Sequence, residues 1–215
     1  MQALILAGTA LPLVGVLGCG ASDETGSTAS PGTPSTTPPR ETTTTGTSEP
    51  ARLDEEYAVY SALIESMFDE TLIVIEDTTA KPDSGLFPLD DLLRSLRDQW
   101  PALSGDLLAD FETKNRSTST LERRFTLRAR YILISLQELD SIFAAEDGWK
   151  EFYKRYPGSQ GVLTLSRVGF SSAGDTALLY VGNQSHWVAG EGNMVLLKKA
   201  GGRWTVVGTR MIWIS

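Results

Sequence analysis

Cysteine and histidine are nearly missing from this 215-residue chain, which has one of each, Cys19 and His186. A single thiol forms no internal disulfide, and one histidine offers no zinc-binding set. The chain has no Asp-x-Asp-x-Asp-Gly loop for calcium and no P-loop or dinucleotide fingerprint. Ser185 stands beside His186 but lacks the nucleophile-elbow setting of a serine hydrolase. No metal and no cofactor are therefore expected. Positive charge is scarce as well: 19 Lys and Arg against 27 Asp and Glu leave a formal charge of −8. No basic run is available to neutralise phosphates, which argues against nucleic acid as a partner.

Charge is lacking altogether over residues 1–18, MQALILAGTALPLVGVLG. The run falls short of the roughly 20 apolar residues that cross a bilayer as a helix, and Gly8, Pro12 and Gly15 interrupt it. It ends at Val16-Leu17-Gly18-Cys19, a string that resembles the processing site of bacterial lipoprotein signals, although only Met1 and Gln2 stand where such signals carry a positive n-region. The resemblance implies a signal peptide over 1–18, cleaved before an acylated Cys19. The mature chain would then be lipid-anchored in the cell envelope and face the extracytoplasmic side, with Gly20 suited to an outer membrane where the host has one. Acylation also removes a thiol that would otherwise be reactive outside the cytoplasm.

Residues 19–51 are dominated by Thr, Ser, Pro and Gly. With almost no apolar surface to offset the entropy of ordering, they are expected to form a disordered tether. Its reach would be roughly 30 Å as a flexible coil and up to about 95 Å as polyproline.

Residues 52–215 have the length of one ordinary domain. A helix is expected over 54–69, where Tyr57, Tyr60, Leu63, Ile64, Met67 and Phe68 recur at helical spacing. Leu72–Ile75 reads as a strand leaving the core at Glu76 and Asp77, followed by a loop at Pro82–Gly85. Further helices are expected over 89–100, from an N-cap at Ser104, from the Ser135/Glu138 capping box, and over Trp149–Tyr156. Alternating side chains from Phe125 predict a strand running into Ile132–Ile134. An antiparallel meander is expected over 162–170, 176–181, 193–199 and 204–214. The fold class is thus α+β, with N-terminal helices followed by a β-meander forming one curved sheet.

The pattern Gly148-Trp149-x-x-Phe152-Tyr153-x-x-Tyr156-Pro157-x-Ser159-Gln160-Gly161, with Leu165-Ser166-Arg167-Val168-Gly169-Phe170 and the closing Trp213-Ile214-Ser215, resembles a family of bacterial lipoproteins and secreted proteins to which no activity is attached. At a coarser level, helices before a curved meander resemble NTF2-like domains, whose cone-shaped pocket serves enzymes and non-enzymes alike.

Three groups of residues are candidates for chemistry. Glu76 and Asp77 at a strand end offer paired carboxylates for acid and base work. Arg167 is suited to clamping an anion or to a structural ion pair. The polar stretch Gly182–Gly192, with Asn183, His186 and Trp187, reads as a loop between two strands and as the first place to look for a ligand. These residues support a non-catalytic envelope lipoprotein that binds a partner protein or small molecule. The alternatives are a small-molecule enzyme with an NTF2-like pocket, which requires the candidates to converge, and a structural envelope assembly protein.

Overall fold

The structure is a computed structural model that describes residues 49–82, 88–101 and 103–215. The signal segment, Cys19, the tether up to residue 48 and Gly85 lie outside the described residues. Among the described residues no helix is long and apolar enough to cross a membrane.

The elements run α1 (Glu49–Met67), β1 (Leu72–Glu76), α2 (Leu89–Gln99), α3 (Gly105–Lys114), β2 (Arg130–Ile134), α4 (Leu136–Phe143), α5 (Gly148–Arg155), β3 (Val162–Leu165), β4 (Gly169–Phe170), β5 (Thr176–His186), β6 (Ala189–Ala200) and β7 (Arg203–Ile214). α1 takes in Glu49, Pro50 and Ala51 from the expected tether, and proline is tolerated in a first helical turn because its missing N–H has no partner there. At the start of α4, Ser135 Oγ accepts from the Glu138 N–H at 3.2 Å. The Glu138 carboxylate does not return to Ser135; it accepts from Tyr156 OH at 2.6 Å and so ties α4 to α5.

The fold is α+β. Seven strands form one sheet in the order β2-β1-β3-β5-β6-β7, with β4 also on β5. The segment β3-β5-β6-β7 is the antiparallel meander. Before it, β1 pairs in parallel with both β2 and β3, because the helices α2 to α5 bring the chain back to start each strand from the same end.

α1 lies on one face of the sheet, where Tyr57, Tyr60, Leu63 and Ile64 pack with Ile73, Ile75, Leu165 and Leu179. The other face carries two clusters. α2 and α3 cover Leu178, Tyr180, Met194 and Leu196, and α4 and α5 cover Leu72, Val74 and Val162 with Trp149, Phe152 and Tyr156.

Two expectations need correction. The stretch from Phe125 alternates as expected, but only Arg130–Ile134 is strand. Its earlier N–H groups are taken by side chains of α1, Thr126 by Ser61 Oγ at 2.9 Å and Arg128 by Glu65 at 2.6 Å. The polar stretch 182–192 is not a loop. β5 and β6 stay paired from Gly182↔Gly192 to His186↔Ala189, leaving a turn at Trp187 and Val188. Its glycines admit neighbouring side chains across the sheet: a Cβ on Gly182 would come within 2.6 Å of both Thr164 Oγ1 and Tyr180 OH.

Candidate functional site

After β3 the chain makes a short non-strand passage through Ser166, Arg167 and Val168 before β4. The passage is held from several directions. Ser166 donates its N–H to Tyr180 O at 3.0 Å, accepts the Tyr180 N–H on Oγ at 2.8 Å and donates that hydroxyl to Arg167 O at 3.0 Å. Asn115, fully buried at the end of α3, accepts the Arg167 N–H at 2.9 Å and donates to Arg167 O at 3.0 Å. The backbone of Arg167 is thus fixed by two buried side chains.

Its guanidinium is fixed as firmly. Nε and Nη2 donate to the two carboxylate oxygens of Glu56 on α1, at 2.8 and 3.0 Å, and Nη1 donates to Ser119 Oγ at 3.2 Å. Glu56 also accepts from the Val168 N–H at 2.7 Å, and Tyr60 OH lies between its carboxylate at 3.1 Å and Ser166 O at 2.8 Å, with one proton to share. The carboxylate is only 3% exposed, whereas the Arg167 side chain is 28% exposed. The Glu56 hydrogen bonds push the Arg167 pKa up, so it stays charged. Burial, followed by the Glu56 charge, pushes the Tyr60 hydroxyl well above its ordinary value, so it stays a donor. A guanidinium has five N–H donors, and two of those on Arg167 have no acceptor among the described residues.

Arg167 lines a hollow of about 460 Å³, together with Arg52, Leu53, Lys114, Ser119 and Leu121. Lys114 is held by Asp110 at 2.8 Å and by Val168 O at 3.0 Å. A second hollow of about 450 Å³ shares Arg52 and Lys114 and continues towards Phe170 and Lys199. The first hollow carries three cations, Arg52, Lys114 and Arg167, against two carboxylates, Glu49 and Glu56. With Asp110 on Lys114, three cations stand against three carboxylates, so the wall is locally neutral within a chain of net charge −8.

The remaining sequence candidates lie elsewhere. Glu76 shares the sheet face of Leu72 and Val74, away from α1; burial, and then the Asp77 charge, push its carboxyl up to about 7. Asp77 accepts from Thr78 Oγ1 at 3.1 Å, and its carbonyl accepts the Leu121 N–H at 2.7 Å. Asn183 Oδ1 is buried without a partner, as is Glu70 Oε2, and both residues line a small cavity near the end of α1. His186 lies over the Trp149 ring with centroids 6.3 Å apart. Trp187 at the hairpin turn is 52% exposed and meets Phe143 edge-on at 5.4 Å. Arg167 is the one candidate that lines the large hollow; Glu76, His186 and Trp187 do not join it.

Glu56, Asn115 and Ser119 were not legible as site residues. Glu56 did leave a signal, since it stands at i with Tyr60, Leu63 and Ile64 at i+4, i+7 and i+8. A carboxylate within an otherwise buried helical stripe needs a partner. A scan against family models, a search of curated proteins and a search of solved structures found no match to the chain.

Proposed function

We propose that the chain is a bacterial envelope lipoprotein, held on the extracytoplasmic side of a membrane by acyl chains on Cys19, whose α+β domain binds a small molecule in the hollow beside α1. One observation carries the binding reading: a partly exposed guanidinium is immobilised in the wall of a hollow of about 460 Å³. Ligand sites are hollows of this size with a few fixed polar groups. A buried ion pair contributes little net stability compared with well-packed apolar residues. Clamping Arg167 through Glu56, Asn115 and Ser166 therefore makes more sense as positioning than as stabilisation. The lipid anchor is supported by the string before Cys19, since two or three acyl chains give lasting attachment at about 0.8 kcal/mol per buried methylene.

The binding reading is tested with the full chain in non-ionic detergent, using ligand-observed NMR on a panel of small neutral, anionic and cationic fragments. Thr120→Trp places an indole at the rim of the hollow from an exposed position. Fragment signals that disappear in this variant support the reading, and signals that persist unchanged overturn it. The anchor is tested by the mass of the protein taken from membranes; an unmodified Cys19, or a start at another residue, overturns it.

An enzyme reading has one observation in its favour, the Glu76 carboxyl near pH 7, where a general base works well. It lacks convergence, because Glu76 and Arg167 line no common hollow among the described residues.

A further inference from the structure

We infer that the tip of the β5–β6 hairpin dips into the bilayer interface and seats the domain on the membrane. This rests on the anchor reading above only for a membrane being within reach. Three exposed apolar side chains meet at this end of the sheet: Trp187 in the turn is 52% exposed, Val188 beside it 76%, and Ile214 72%. Ile214 belongs to the neighbouring strand, where Ser215 and Gly190 exchange backbone hydrogen bonds two residues from Val188. Turn chemistry does not call for these residues. A two-residue hairpin turn favours Gly, Asn or Asp, yet Trp-Val fills the turn closed by His186 and Ala189. Local rules are broken in this way chiefly at functional positions. The tip also stands on a fixed base. Trp187 packs on Phe143 and Trp149 with ring centroids 5.4 and 6.3 Å away, Tyr153 OH donates to Ser185 O at 2.7 Å, and Ser185 Oγ donates to Ala189 O at 3.0 Å. An indole already held has less freedom to lose on binding.

Two observations favour a lipid surface over a protein partner. The first is size. Three side chains at a hairpin tip fall short of the about 800 Å² per partner that a standard protein interface buries. A bilayer asks for no matching surface, and a tether supplies the effective concentration that a small contact lacks. The second is the order of polarity along the hairpin. Behind the apolar tip come Asn183, Gln184, Ser185 and His186, and no Asp, Glu, Lys or Arg occurs from Thr176 to Gly190. Uncharged hydrogen-bonding groups behind an indole suit the headgroup level, where tryptophan collects because its ring is apolar at one end and wet at the other. The chain's net charge of −8 disfavours anionic lipid, so the fitting surface is zwitterionic.

The test couples the full chain through the thiol of Cys19, its one cysteine, to a maleimide-bearing lipid in phosphatidylcholine vesicles, so that tethering does not depend on acylation in the cell. Tryptophan emission is compared in vesicles with and without lipid brominated near the headgroup end of its chains, and wild type is expected to be quenched. Trp187→Tyr keeps an aromatic tip but removes the reporting indole. Val188→Asp places a charge in the turn at an exposed position. Each variant is expected to lose more than half of the quenching. No quenching in wild type, or quenching that survives either substitution, overturns the inference. Iodide in solution is expected to quench wild type less on vesicles than free of them; equal iodide quenching also overturns the inference and leaves the tip to a protein partner. If Cys19 proves unmodified in protein taken from membranes, the anchor reading falls by itself, and the coupled chain still decides the tip.

Discussion

Replacing Glu76 with glutamine should stabilise the folded chain at pH 8 and leave it nearly unchanged at pH 4. Burial, reinforced by the Asp77 charge, raises the carboxyl from 4.5 to about 7. Between those values the unfolded chain has released a proton that the folded chain still holds, so stability falls as pH rises through this window. Above pH 7 the folded state carries an ionised carboxylate in a poorly solvated place, and the full penalty is present. A proton held roughly 300-fold more tightly corresponds to about 3 kcal/mol, a ceiling that partial exposure lowers. Glutamine keeps the shape and removes the charge. The assay is urea unfolding of the full chain at pH 4, 6 and 8, followed by tryptophan fluorescence, with wild type and Glu76→Gln compared at each pH. A stability difference that is the same at pH 4 and pH 8 would refute the reasoning, because it would place the effect in packing rather than ionisation.

Glu56→Gln leaves Arg167, which is 28% exposed, without its counter-charge, and urea unfolding at pH 7 should show a loss of about 1 to 3 kcal/mol, since solvent reaches the remaining charge; no measurable loss would mean that the pair does not hold Arg167 in place. Ser135→Ala removes the acceptor of the Glu138 N–H and should cost about 1 kcal/mol, checked in the same assay. In Gly182→Ala the new methyl group comes within 2.6 Å of Thr164 Oγ1 and Tyr180 OH. That overpacking should cost about 1 to 3 kcal/mol and disturb Trp213, whose Nε1 donates to Tyr180 OH at 3.0 Å; an unchanged tryptophan spectrum and stability would show that the sheet has room there.

Features that depend on neighbours along the chain were legible in the order of residues alone. Tyr57, Tyr60, Leu63 and Ile64 lie on one stripe because a helix repeats every 3.6 residues, and Ser135 caps α4 because its hydroxyl sits three residues from an orphan N–H. Those local signals, with strands crowding the second half, were enough for an α+β class. Tertiary structure decided the rest. Phe125–Ala129 alternates like a strand yet pairs with none, because Ser61 and Glu65 of α1 take its N–H groups. Gly182, Gly190 and Gly192 look like loop residues, but they sit in paired strands because Tyr180, Gln184 and Trp213 occupy the space their side chains would fill. Arg167 was a reasonable candidate from its apolar neighbours, but whether it reached a ligand-sized space depended on Glu56, 111 residues away, and on Asn115 and Ser119 arriving from α3 and the segment after it. Long-range pairing of this kind leaves no periodicity to read; it exists only once α1 has been laid across the sheet.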